Sequence, residues 1–204
     1  SVCNVDTITV DPDTVFCSDL GTVNFTVTVT EQGGQQGSCS GTLTVKDTIN
    51  PNVICQSDTM LHLPDTMNAV ATLSAASVID SMWDNCFFDS ILISKDGITY
   101  DTTVTYDCSE VGTQTARVKV VDADGNTDTC SVEVMVKDTT SPGVVACLQD
   151  TMINTSSDTT GDCQAQYLWT HPEPKDNCSV DSMTVKYTLS TGMMVGPMTV
   201  TGNT

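Results

Sequence analysis

Apolar and polar residues alternate one for one along most of this chain. Phe25-Thr26-Val27-Thr28-Val29-Thr30 and Gly41-Thr42-Leu43-Thr44-Val45-Lys46 place every second residue on one face, as do Ala116-Arg117-Val118-Lys119-Val120 and Val132-Glu133-Val134-Met135-Val136-Lys137. A period of two built from β-branched residues predicts half-buried antiparallel strands. The 34 threonines suit the solvent faces of such strands. No stretch carries a 3.6-residue apolar stripe with caps. Turn signals separate the strands at Gly33-Gly34, Asp96-Gly97, Asp124-Gly125-Asn126 and Gly161-Asp162. Between Pro51 and Lys137 the pattern predicts strands near residues 52–56, 59–63, 69–74, 90–95, 98–106, 113–121 and 130–137. Short strands at this spacing predict an all-β, two-sheet sandwich of immunoglobulin-like type.

The chain also repeats itself. Cys17, Gly21, Cys39, Lys46, Asp47 and Pro51 recur 91 residues later as Cys108, Gly112, Cys130, Lys137, Asp138 and Pro142. Cys55 and Asp84-Asn85-Cys86 recur 92 residues later as Cys147 and Asp176-Asn177-Cys178. Such a period signals tandem modules. It divides the chain into a partial module at 1–47 lacking its first strands, a complete module at 48–138, and a partial module at 139–204 lacking its last strands. The connectors Asp47-Thr48-Ile49-Asn50-Pro51 and Asp138-Thr139-Thr140-Ser141-Pro142 are short and end in proline. A stiff linker of this kind predicts a rod-like array. The incomplete modules predict either a window on a longer repeat protein or halves that complete one another head to tail between subunits.

Charge narrows the function. The formal net charge is −19, which argues against nucleic acid and anionic membranes and favours cations. No signal peptide, membrane-spanning run or anchor motif is present, so an export signal is expected outside this segment or already removed. Ten cysteines at fixed module positions suit a disulfide framework in an oxidising compartment. Zinc is disfavoured, because there is no Cys-x-x-Cys and only His62 and His171 are available.

Several spaced motifs resemble the hyalin repeat (HYR), in the version found in long bacterial surface proteins. They are Lys137-Asp138-Thr139 to Pro142, Val144 to Cys147, Asp84-Asn85-Cys86, and Val121-Asp122 to Gly125-Asn126 to Cys130. Trp169-Thr170-His171-Pro172 before Asp176-Asn177-Cys178 also fits. The resemblance implies immunoglobulin-like modules with adhesive or structural extracellular roles and no catalysis. The first module departs from it, since Glu31 to Gly37 replaces the Asp-rich Gly-Asn hairpin.

An immunoglobulin-like topology constrains the cysteines without fixing them. Cys86 and Cys130 fall at one end of a module, which predicts Cys86–Cys130 and its equivalent Cys3–Cys39. Cys108 falls at the other end, where the next module begins. That predicts Cys108–Cys147 and Cys17–Cys55 as cross-links between modules, with Cys55–Cys108 as the alternative within one. Cys163 and Cys178 are left unassigned.

The same topology brings acidic segments together at each junction, three at the first and two at the second. At the first they are Asp47, Asp84 with Asn85, and the hairpin of Asp122, Asp124 and Asn126. At the second they are Asp138 and Asp176 with Asn177. Oxygen ligands in this number suit calcium; the same residues also serve simply as turn formers on an acidic surface.

Asn24, Asn154 and Asn177 begin glycosylation sequons, and the surface Thr and Ser residues are candidates for O-glycans. No Gly-x-Ser-x-Gly or metal-hydrolase motif is present, and no catalytic residue is assigned. Trp83 and Trp169 are expected to pack in cores or junctions. These features predict a non-enzymatic, extracellular structural repeat protein that forms or extends a cell-surface fibre and associates head to tail. The alternatives are an adhesin binding a glycan or protein partner, and an accessory array of a secreted enzyme.

Overall fold

The structure, a computed structural model, describes residues 4–145, 173–188 and 194–200. The described residues form an all-β fold. In chain order the strands are β1 (Val5–Asp11), β2 (Gly21–Glu31), β3 (Gln36–Val45), β4 (Asn52–Cys55), β5 (Asp58–His62), β6 (Val70–Ser74), β7 (Ile79–Trp83) and β8 (Phe88–Ser94). They continue with β9 (Thr103–Asp107), β10 (Gly112–Asp122), β11 (Thr127–Lys137), β12 (Gly143–Val144), β13 (Pro174–Lys175), β14 (Met183–Thr188) and β15 (Met194–Val200). Short 3-10 turns at Cys17–Asp19, Ala75–Val78 and Cys108–Glu110 are the only helical pieces among the described residues. The chain divides into two compact units: residues 1–60, 72–104 and 113–135 in one, and 61–71, 105–112 and 136–204 in the other.

The stretch from β4 to β11 forms an immunoglobulin-like sandwich. One sheet runs β5-β11-β10-β8, and the remaining strands pair as β4–β7 and β6–β9. Alternation decides which residues enter the core. Ala116, Val118 and Val120 of β10 and Val132, Val134 and Val136 of β11 are buried, while Arg117 and Glu133 between them face out. Val53, Ala71, Leu73 and Tyr106 supply buried side chains from the paired strands. The Cys55–Cys130 disulfide ties β4 to β11, with Cα atoms 5.6 Å apart. Strand β7 was not expected: Asp80 and Ser81 interrupt its apolar pattern, yet it pairs with β4 from Asn52↔Trp83 to Cys55↔Ile79. Trp83 is 61% exposed on that strand, against the expectation that it packs in a core or junction. Trp169 lies outside the described residues.

Strands β1, β2 and β3 form a separate three-stranded sheet in the first unit. Its register opposes Ile8 to Val29, Val10 to Val27, Val27 to Cys39, Phe25 to Gly41 and Val23 to Leu43. Directly opposed residues share a face, so one face is apolar. The other carries Thr9 opposite Thr28, Thr26 opposite Ser40, and Thr22 opposite Thr44. At Gly41 a Cβ would stand 2.9 Å from the tip of the Phe25 ring, so a larger residue there would displace that ring.

A tight loop follows β8. Asp96 Oδ1 accepts hydrogen bonds from Ile98 N (2.8 Å), Ser94 Oγ (2.7 Å) and Thr99 N (2.8 Å). Gly97 supplies the positive φ of 73° that closes the turn. Donors to the ionised form favour it, and they hold the Asp96 carboxyl at about 2, the Ile98 N–H having the largest effect. A depressed folded pKa stabilises the fold above the ordinary carboxyl value and loses that contribution as pH falls toward 2. NMR titration is expected to place the Asp96 midpoint near 2, and Ser94→Ala to raise it; a midpoint near 4 in the parent chain would contradict the loop geometry.

Candidate metal centre

The linker that leaves β3 for β4 is held by one residue. The Asp47 N–H donates to the Asp124 carboxylate, and the Asp47 carbonyl accepts from Asn126 Nδ2 at 3.1 Å. The Asp47 carboxylate accepts from Ile49 N and from Asn85 Nδ2, each at 3.0 Å. Asp124 and Asn126 belong to the hairpin between β10 and β11, where Gly125 takes a φ of 89°. Asp122 organises that hairpin. Its carboxylate accepts from Asp124 N (2.9 Å), Asn126 N (2.8 Å) and Asn126 Nδ2 (2.7 Å). Asp84 lies just before Cys86 and accepts that residue's N–H at 3.0 Å through Oδ2.

These bonds bring three carboxylates together. One oxygen from each of Asp47, Asp84 and Asp122 lies within 4.8 Å of the others. Asp47 is 8% exposed and Asp122 is 1% exposed. The hydrogen-bond donors around them are backbone N–H groups and the amides of Asn85 and Asn126, all neutral. Two unit charges 4 Å apart repel by about 4 kcal/mol at an effective dielectric of 20. Protonation is a poor escape for Asp122. Burial pushes its pKa up, but the bonds from Asn126, Asp124 and Gly125 outweigh that and leave it below the ordinary value.

One further atom points to a cation. Asp84 Oδ1 is buried and accepts no hydrogen bond, an arrangement that is costly unless a partner is bound. Asp47, Asp84 and Asp122 therefore fit a hard divalent cation such as calcium, which takes 6–8 oxygen ligands. Asn85 and Asp124 hold Asp47 in place through hydrogen bonds.

The second unit contains a related arrangement. Asp138 accepts from Thr140 N at 3.0 Å, as Asp47 accepts from Ile49 N. Asp176 accepts from Cys178 N at 3.0 Å, as Asp84 accepts from Cys86 N. Asn177 differs from Asn85: its Nδ2 donates to the Pro64 carbonyl at 3.2 Å, and its buried Oδ1 has no hydrogen-bond partner. The counterpart of Asp122 would fall past residue 204. Asn177 is only 7% exposed with its amide engaged, so the folded chain does not offer it for glycosylation, contrary to expectation. Asn24 is exposed on β2, and Asn154 lies outside the described residues.

The disulfides correct the expected pairing. Cys17 bonds Cys86, Cys108 bonds Cys178, and Cys55 bonds Cys130. Cys86–Cys130 and Cys17–Cys55 are therefore not formed. Cys55 ends β4, about 13 Å along the chain from Pro51 at about 3.3 Å per residue, so it lies beside the core rather than at the linker. Cys86 follows Asp84 and Asn85 and is the cysteine that meets Cys17, whose Sγ lies 3.3 Å from the Asn85 carbonyl. Cys108 repeats this arrangement 3.5 Å from the Asn177 carbonyl, which rules out both Cys108–Cys147 and Cys55–Cys108. Cys39 is a free, exposed thiol, so Cys3–Cys39 is not formed either. Cys3, Cys147 and Cys163 lie outside the described residues.

No family model and no curated protein matches the chain. Among solved structures, it is similar to the protocadherin gamma B7 extracellular cadherin domains 1–4, at 13% identity and a TM-score of 0.33, over 97% of this chain and 59% of that one. It is also similar to the protocadherin gammaB7 EC3–6 cis-dimer, at 15% identity and a TM-score of 0.31, over 89% and 51% of the two chains. The chain thus spans little more than half the length of these structures.

Replacing Asp84 separates repulsion from ligation. Asp84→Asn removes one of three clustered charges, so in chelator its melting temperature is expected to be at or above that of the parent. In millimolar calcium the parent is expected to gain several degrees and Asp84→Asn to gain much less. Equal calcium responses in the two proteins would remove Asp84 from the site.

Proposed function

We propose that this chain is a non-enzymatic, extracellular structural repeat segment that forms or extends a cell-surface fibre, and that calcium and disulfides brace its module junctions. The modules are those of the sequence repeat, 1–47, 48–138 and 139–204. The observation that carries this reading is the concentration of polar chemistry at the linkers. Asp47 spends its N–H, its carbonyl and its carboxylate on residues of the following module. The Cys17–Cys86 and Cys108–Cys178 bridges have sequence separations of 69 and 70 and share a Cα–Cα distance of 5.3 Å. Each bridge supports a junction by about 2–4 kcal/mol through restriction of the unfolded chain. Disulfides in this number belong to an oxidising environment.

A second reading, as an adhesin, is favoured by the exposure of Trp83 and Phe87, at 61% and 58%. Exposed aromatics on a rigid strand or turn suit stacking on a sugar or a partner surface. Loss of glycan-array binding on Trp83→Ala would support that reading.

Electron microscopy of the native material tests the structural reading. Long regular filaments with a constant repeat are expected, becoming more flexible in chelator. Isolated short particles with no repeat, unchanged by chelator, would contradict it.

A further inference from the structure

The chain holds seven Lys and Arg residues against 26 Asp and Glu, and three of the seven lie together on the complete sandwich. Arg117 and Lys119 stand on one face of β10, and Lys95 follows the end of β8, the strand paired with it. The register fixes that face as the outer one. Arg117 lies opposite Ser94 and Lys119 opposite Leu92, while Val118 and Ile93, opposed between them, are both 0% exposed in the core. Two residues along a strand set the two cations about 7 Å apart.

The loop after β8 folds against this stripe. The Arg117 side chain runs past Gly97, its Cδ 3.3 Å from where a Cβ on that glycine would stand. Lys119 Nζ sits 4.3 Å from the centroid of the Tyr100 ring, a cation–π contact. The carboxylate of Asp96, beside Gly97, is taken up by donors of its own loop, Ser94 Oγ, Ile98 N and Thr99 N. Among the described residues neither Arg117 nor Lys119 is ion-paired, although acidic groups far outnumber basic ones. The strand itself does not require cations here. At the 91-residue offset β2 carries Thr26 and Thr28 in their place.

We propose that Arg117, Lys119 and Tyr100 form a binding site for an acidic oligosaccharide, one whose sugars carry carboxylate or sulfate groups. Arg117 offers a planar fork that meets such an anion with two parallel hydrogen bonds. Lys119 supplies a second positive charge for the next acidic group along the glycan. Ile98, 84% exposed, and the Tyr100 ring supply apolar surface for the C–H faces of the sugars. A second copy of this chain is a poorer occupant. A protein interface takes about 800 Å² on each side, and spreading that far brings in the exposed Asp89, Asp101 and Glu133, which repel an acidic copy. A glycan of two or three sugars covers the stripe alone. The net charge of −19 does not prevent this, because at physiological salt charges more than about 8 Å away are largely screened. The inference rests on the adhesin reading above and names a ligand class for it.

The test titrates the 204-residue chain at physiological salt with two acidic probes, a heparin tetrasaccharide and a tetragalacturonate, and with neutral maltotetraose as control. NMR is expected to show saturable binding of an acidic probe, with the largest shifts at residues 95–100 and 117–119, and no binding of the neutral one. Which acidic probe binds tells sulfate from carboxylate. Arg117→Thr and Lys119→Thr, each installing the residue that β2 carries, are expected to weaken binding about tenfold apiece while leaving the melting temperature nearly unchanged. Absence of binding at millimolar probe, equal binding of the neutral sugar, or equal affinity of the parent and the double variant would overturn the site. So would self-association that the double variant loses while neither protein binds a glycan, which assigns the stripe to a second copy. Trp83→Ala, run in parallel, is expected to keep acidic-probe binding. Trp83-dependent glycan binding by a chain whose stripe binds nothing overturns the stripe and leaves the adhesin reading standing.

Discussion

The carboxylate of Asp47 is buried beside those of Asp84 and Asp122, and their mutual repulsion is the electrostatic constraint on the first linker. The residue lies at the exit of β3, and its backbone is bonded on both sides to the hairpin between β10 and β11. Removing the linker from this cup would break several hydrogen bonds at once. Leaving it there confines three negative charges among neutral donors, and one oxygen of Asp84 has no donor at all. Amide hydrogen bonds orient carboxylates but do not cancel their mutual repulsion. A bound cation would do both, and the strength of the linker would then depend on cation concentration.

The disulfides act on the same place by a different route. Cys17 and Cys108 sit in short turns that precede long strands, and each is tied to the cysteine of an Asp-Asn-Cys run. Such a bridge limits how far the chain can open at that point whether or not a cation is bound. The third bridge, Cys55–Cys130, belongs to the sandwich itself and joins its layers. Covalent bonds and the carboxylate cluster thus meet at the same segment of chain, Cys86 lying two residues after Asp84.

Much of this was legible in the sequence. Alternation located the strands from β4 to β11 apart from β7, because valine and threonine at a period of two have few other ways to fold. Asp-Gly-Asn marked the hairpin, and the expected immunoglobulin-like topology set it near Asp84 and Asp47, whose carboxylates come within 4.8 Å of that of Asp122. Strand β7 escaped notice because Asp80 and Ser81 are neighbours on opposite faces and blur the period. The cysteine partners were less accessible. Pairing depends on where along a strand each sulfur falls, and a displacement of four residues moves Cys55 from the linker to the core edge. Asn177 shows the same limit, since a sequon says nothing about burial. That Asp84 would keep an oxygen without a donor could be learned only from coordinates.

The central claim is that the acidic cup around Asp47 is a cation site. Calorimetric titration of calcium into the oxidised chain tests it most directly. The account predicts saturable binding that Asp122→Asn weakens at least tenfold, with the disulfide pattern unchanged. Absence of binding at millimolar calcium, or equal binding by the parent and Asp122→Asn, would contradict it.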